Sequence, residues 1–269
     1  MTINTLTVAS VQMVSTDQPA QNLASMQHWV AEAAACGAQL VVLPEYWAIM
    51  GLGDSDKVAL REPYGSSPLQ SALAQLAQQH GIWLVGGTLP LDAGVDGKIY
   101  NSSLVFDPNG VCVARYDKIH LFSFSGHNER YCESDTIVAG TTPTVVDTPF
   151  GLLGLSVCYD LRFPELYRSM PPLNMIALPA AFTATTGAAH WEVLLRARAI
   201  ENQCYVIAAA QGGTHPSGRK TYGHSMIIDP WGTILDELPS GVGVVTTHLN
   251  FNHLQTVRSN LPALAHRVL

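Results

Sequence analysis

The chain has 269 residues and is 47% hydrophobic, enough to bury one large core or two modest ones. Its 14 lysines and arginines against 21 aspartates and glutamates leave a formal charge of −7. With no basic run in the sequence, that balance argues against nucleic acid and anionic membranes as partners. Taken in chain order, residues 5–13 alternate as a strand and lead straight from the N-terminus, so no signal peptide is expected. A helix over 21–36 starts after Pro19 and is stopped by Gly37. Residues 39–43 predict a buried strand, and 67–80 a helix ended by Gly81. Strands follow over 82–89, 100–106 and 111–116, the last two joined by the turn Asp107-Pro108-Asn109-Gly110. Two buried strands, 152–157 and 175–179, flank a short helix over 164–169. A long helix over 188–202 precedes strands near 205–210, 222–228 and 243–249, with a turn at Asp229-Pro230-Trp231-Gly232.

No composition shift or linker divides the chain. It reads as one domain over 1–250, with a C-terminal extension over 251–269 that belongs to the same domain or to a dimer contact. The longest apolar runs are strand-sized and interrupted by Pro or Gly, so no membrane-spanning helix is expected. The five cysteines are odd in number and scattered, which fits no disulfide framework and makes a reducing cytoplasm the simplest compartment. None of the ten histidines forms an i, i+4 pair with an adjacent acid, so neither metal nor cofactor is expected. The element order suits a doubly wound α/β fold, but successive hairpin signals argue against a purely parallel sheet.

Three segments carry chemistry. In the first, the apolar run 152–157 delivers Cys158 to a strand-to-helix turn, with Pro164 and Glu165 fitting the first turn of the helix. A thiol there is held on a rigid scaffold near backbone N–H groups that stabilise negative charge; its other reading is a small apolar packing residue. In the second, Leu43-Pro44-Glu45-Tyr46-Trp47 sets a carboxylate at the edge of a buried strand, where desolvation favours a general base; the alternative is a solvated loop glutamate. In the third, Lys118 follows a short strand among large apolar groups, either as a catalytic cation or as a surface lysine packing its stem.

Glu, Lys and Cys in this order resemble the nitrilase superfamily of carbon–nitrogen hydrolases. The resemblance rests on LPEYW, YDKIHLF and VCYDLRFPELYR, and runs on through PAAFTATTGAAHWEVLLRARAIENQCYVIAAAQ and YGHSMIIDPWG. It is nearest to the small-amidase branch, which includes deaminated glutathione amidase and ω-amidase. It implies an α/β fold of four α-β-β-α layers, with Cys158 as nucleophile, Glu45 as general base and Lys118 as oxyanion-stabilising cation. The branch also places a second carboxylate in an ESD element, which matches Glu133; Glu129 is the alternative. The backbone N–H of Tyr159 is a candidate second oxyanion donor. Arg162 either holds a substrate carboxylate or forms an ion pair with Glu165 or Asp160. His120 reads as a structural hydrogen-bonding residue.

The expected function is hydrolysis of a small carboxylated amide to acid and ammonia through a thioester. Alternatives are an N-carbamoyl amide hydrolase, a nitrilase, or a non-catalytic binding protein on the same fold. By the same resemblance a homodimer or higher homo-oligomer is expected, with contacts around residues 163–169 and 252–269.

Overall fold

The computed structural model describes residues 4–126 and 129–268. Two mixed sheets lie face to face. In the first, strands Gly243–Asn250, Thr5–Gln12, Leu40–Val42, Trp83–Val85, Ile99–Phe106 and Leu89–Asp92 stand side by side, and Cys112–Asp117 also pairs with Ile99–Phe106. The second runs Ile234–Leu238, Ser225–Ile228, Tyr205–Ala210, Met175–Ala180, Gly151–Leu155 and Val145–Thr148. Each has three adjacent parallel strands and antiparallel flanks. Helices Pro19–Ala35 and Pro68–His80 cover the outside of the first sheet, and Pro164–Arg168 and Ala184–Asn202 the outside of the second. This is the expected four-layer sandwich.

The side-chain period of two explains why the central strands are apolar throughout. On Thr5–Gln12, Leu6 and Val8 enter the core shared with the second sheet, while Ala9 and Val11 pack beneath the helices. Leu40 and Val42 face inward, and Val41 and Leu43 face the helices. Ser10 is on the inward set, and its hydroxyl donates to the Ala208 carbonyl of the opposite sheet at 2.7 Å.

Several boundaries differ from those the sequence predicts. The strand expected over 82–89 is two strands, broken at Gly86-Gly87. Gly87 has φ +60°, and an added Cβ would lie 2.2 Å from the Pro44 carbonyl, so glycine permits the chain to pass that close. The long helix begins at Ala184, with the Thr183 hydroxyl accepting from Thr186 N at 3.2 Å. Gly187 lies inside that helix because Tyr222 packs directly on its Cα, where a Cβ would come within 2.3 Å. The hairpin Ser123–Gly126 with Glu129–Cys132, the strands Val145–Thr148 and Ile234–Leu238, and the helices Ser55–Ala59 and Phe251–Asn260 were not predicted. The last helix buries Phe251, Leu254 and Val257 against its own chain, and Arg258 Nε donates to the Gln203 carbonyl at 3.1 Å. None of the helices among the described residues is long and apolar enough to cross a membrane.

Candidate active site

Glu45 follows the buried strand Leu40–Val42, and its loop is clamped on both sides. Gln211 Nε2 donates to the Glu45 carbonyl at 3.0 Å, and Tyr46 N donates to Thr88 Oγ1 at 2.9 Å. Trp47 Nε1 reaches the Gly86 carbonyl at 2.8 Å. Tyr46 holds a left-handed backbone (φ +57°), which a bulky residue adopts only under tertiary constraint. The Glu45 side chain is 1% exposed, and its Oε1 accepts from Asn101 Nδ2 at 2.9 Å.

Lys118 comes from the end of strand Cys112–Asp117 and is wholly buried. Its Nζ lies 2.9 Å from Glu45 Oε1 and 2.8 Å from Glu133 Oε2. Glu133 opens the single-turn 3₁₀ helix Glu133–Asp135, and also accepts from Phe122 N and Tyr46 Oη, each at 2.7 Å. Of the two candidate second carboxylates, Glu133 is the one joined to Lys118; the side chain of Glu129 lies outside the described residues. Burial by itself would lower the Lys118 pKa, but the Glu133 and Glu45 charges outweigh it and raise it. For Glu133 burial pushes upward, and the Lys118 ammonium brings the net value below the ordinary 4.5.

Cys158 stands beside this triad. It stands in the strand-to-helix turn that the sequence predicts, although the strand is shorter than the expected 152–157. Gly151–Leu155 ends earlier, and Cys158 opens the 3₁₀ turn Cys158–Arg162 with φ +51°. The turn is fixed by buried Asp160, which accepts from Val157 N at 2.8 Å and Tyr116 Oη at 2.7 Å. His120 N donates to the same carboxylate at 3.0 Å, with its ring stacked on Phe163, so His120 has the structural role expected. Burial and then the Glu45 charge push the Cys158 thiol well above 9.0, while Lys118 pulls the other way. Burial and Glu45 thus disfavour the thiolate, and Lys118 offsets part of their effect.

A narrow cavity, of about 10 Å³, opens onto Cys158, Glu45 and Glu133, walled by Tyr159, Arg162, Phe182 and Arg219. The Tyr159 ring packs edge-on against Phe122 and Phe163. Arg162 lies over the Tyr159 and Phe182 rings, and its Nη1 is 3.2 Å from His190 Nδ1. Its recorded partners are thus aromatic rings and an imidazole; the expected alternative of an ion pair with Glu165 or Asp160 is not formed. Tyr46, Asn101, Asp160 and Arg219 were missed as site residues. Tyr46 adjoins Glu45 in the motif, but only folding carries its hydroxyl to Glu133, 87 residues away.

Residues 7–259 match the carbon–nitrogen hydrolase family. The chain belongs to this family. It is 41% identical over 264 residues to deaminated glutathione amidase of Yersinia enterocolitica, covering 96% of this chain and 92% of that protein. The human protein of the same name is 41% identical over 268 residues, covering 97% of this chain and 81% of its own. Among solved structures, Saccharomyces cerevisiae Nit3, described as a member of branch 10 of the nitrilase superfamily, superposes with a TM-score of 0.86 at 32% identity. That match covers 96% of this chain and 95% of Nit3. The protein is therefore a carbon–nitrogen hydrolase, and dependence on a cysteine is general to its superfamily.

Proposed function

We propose that this hydrolase cleaves the amide bond of a small carboxylated amide, with Cys158, Glu45, Lys118 and Glu133 as its working groups. The observation that carries this reading is the buried Lys118 ammonium, bridging two carboxylates that line one cavity with the Cys158 thiol. Glu45 takes the thiol proton as sulfur attacks the amide carbonyl. The Lys118 ammonium and the Tyr159 backbone N–H stabilise the developing oxyanion. Glu45 then protonates the departing nitrogen, and an acyl thioester remains on Cys158. Water enters, gives a proton to Glu45 and attacks the thioester; the acid leaves and the thiol is restored. Glu133 keeps Lys118 charged and oriented and does not itself exchange protons with substrate.

The curated relatives are named for deaminated glutathione, and a compound of that kind is the substrate class we assign. Glutathione is a peptide, so its deaminated form carries carboxylates and secondary amides. A secondary amide releases an amine, whereas a primary ω-amide releases ammonia. Arg162 supports a carboxylated acyl group, because its guanidinium faces the cavity without an acidic partner recorded. The scattered cysteines suit a reducing cytoplasm, and a homodimer of single-domain subunits fits the C-terminal extension. The test is turnover of a panel of primary and secondary amides, with trapping of the acyl-enzyme. A mass increase equal to the acyl group on the cysteine peptide, absent in Cys158→Ala, is expected. Undiminished turnover by folded Cys158→Ala would exclude the mechanism.

A further inference from the structure

A second and larger cavity, of about 390 Å³, adjoins the catalytic one. The two share Arg219, which lines both. Tyr46 completes the partition: its residue lines the outer cavity, and its hydroxyl reaches Glu133 in the inner one. The outer chamber also presents Lys57 and Arg130, and its one carboxylate among the described residues is Asp54, 2.9 Å from Lys57 Nζ. Lys57 lies over the Tyr46 ring, and the Arg219 guanidinium over the Tyr131 ring, so both cations are aimed by aromatic faces. Arg219 Nη2 is tied to the Ala181 carbonyl at 3.0 Å, while its buried Nε has no hydrogen-bond acceptor among the described residues. An unmatched buried donor of this kind is costly unless a ligand or water satisfies it.

Thioester chemistry divides the substrate into an acyl half, which stays on sulfur, and a leaving half, which departs as an amine. The inner cavity is too small for both halves of a peptide-sized amide. We infer that the outer chamber binds the leaving half, and that Arg219, Arg130 and Lys57 recognise a carboxylate on the departing amine. This rests on the amidase reading above and adds to it a preference for carboxylated amines. Counting both cavities and Lys118, five cations face three carboxylates among the described residues, in a protein of net charge −7. The field is thus locally positive along the path an anionic amide must take.

The experiment compares two amides with the same acyl group. In one the amine carries a carboxylate, and in the other a neutral carboxamide stands in its place. The ratio of their kcat/KM values is measured for the wild type and for Lys57→Gln/Arg130→Gln. Loss of two cations is expected to lower the carboxylate-to-carboxamide ratio about tenfold. Added salt is expected to lower the wild-type ratio as well. Arg130 is exposed, so the single Arg130→Glu reversal provides a second, folded test and is expected to lower the ratio in the same direction. An unchanged ratio in either folded variant, with both amides still turned over, overturns this inference alone. A wild type that hydrolyses neither amide overturns the catalytic reading along with it.

Discussion

At the scale of single residues, the site works by opposed charges. Burial and Glu45 push the Cys158 pKa upward, and Lys118 offsets part of that. The two neighbours therefore have opposite effects on its titration. Glu45→Gln removes a negative charge and is expected to lower the thiol pKa; on the mechanism proposed above it also removes the base, so most turnover is expected to be lost. Lys118→Met removes the positive charge and is expected to raise it. Thiolate absorbance against pH in the free enzyme checks both signs; a higher pKa in Glu45→Gln would contradict the arrangement. Arg162 gives a second test at this scale. Its guanidinium lies 5.7 Å from the Tyr159 ring centroid and 5.3 Å from that of Phe182, and its planar fork is a shape that an ammonium cannot reproduce. Arg162→Lys is expected to raise KM about tenfold for amides with an acidic acyl group, and far less for uncharged ones, with little change in melting temperature. An equal loss for both, with a lowered melting temperature, would leave Arg162 a buttress of the turn.

At the scale of elements, the catalytic groups stand where strands end and irregular backbone begins. Glu45 is followed by Tyr46 at φ +57°, and Cys158 itself is at φ +51°. Such positions persist only when the surroundings hold them, here through Thr88, Gln211 and Asp160. Gly87 is part of the same clamp, since any side chain would meet the Pro44 carbonyl beside Glu45. Gly87→Ala is expected to cost about 1–3 kcal/mol from its left-handed backbone and overlap together. It is also expected to reduce kcat by shifting the Glu45 loop. Denaturant titration and steady-state kinetics check the pair. Wild-type stability and activity in this variant would show that the loop is not positioned through Gly87.

At the scale of the whole molecule, the buried triad couples catalysis to stability. The folded pKa of Glu133 lies below its ordinary 4.5, so its contribution is present above that value and is lost as pH falls through the folded one. Lys118 is raised above 10.5, so its contribution is present below that value and is lost as pH climbs past the folded one. These two groups therefore favour folding across the range between 4.5 and 10.5. Lys118→Met strands two carboxylates in the core and is expected to cost about 3–5 kcal/mol near pH 7. Because Glu133 then loses the ammonium that holds its pKa down, acidification toward about pH 5 should recover part of the loss. Melting temperature against pH reads this directly; a variant stabilised by raising pH would contradict the sign. Subunit number is tested by sedimentation at micromolar concentration, where a homodimer is expected and a monomer would defeat that proposal.

The amino-acid sequence alone determined the parts of this protein that depend on local pattern. Apolar strands with both faces buried, helices bounded by Pro19, Gly37 and Gly81, and the motifs around Glu45, Lys118 and Cys158 were all legible, because each signal lies within a few neighbouring residues. Tertiary structure decided what depends on distant segments meeting. Only the meeting of strand ends joins Lys118 to both Glu45 and Glu133. Only tertiary packing turns Gly187 from a helix boundary into a point of contact with Tyr222. Asp160 reads as one more polar residue in the turn until Tyr116 and His120, from the other sheet and the segment after it, converge on its carboxylate. Arg219 likewise reads as a loop cation until folding sets it in the wall between two cavities. Local propensity and hydrophobic period are properties of adjacent residues, whereas a buried charge network exists only once the chain has closed around it.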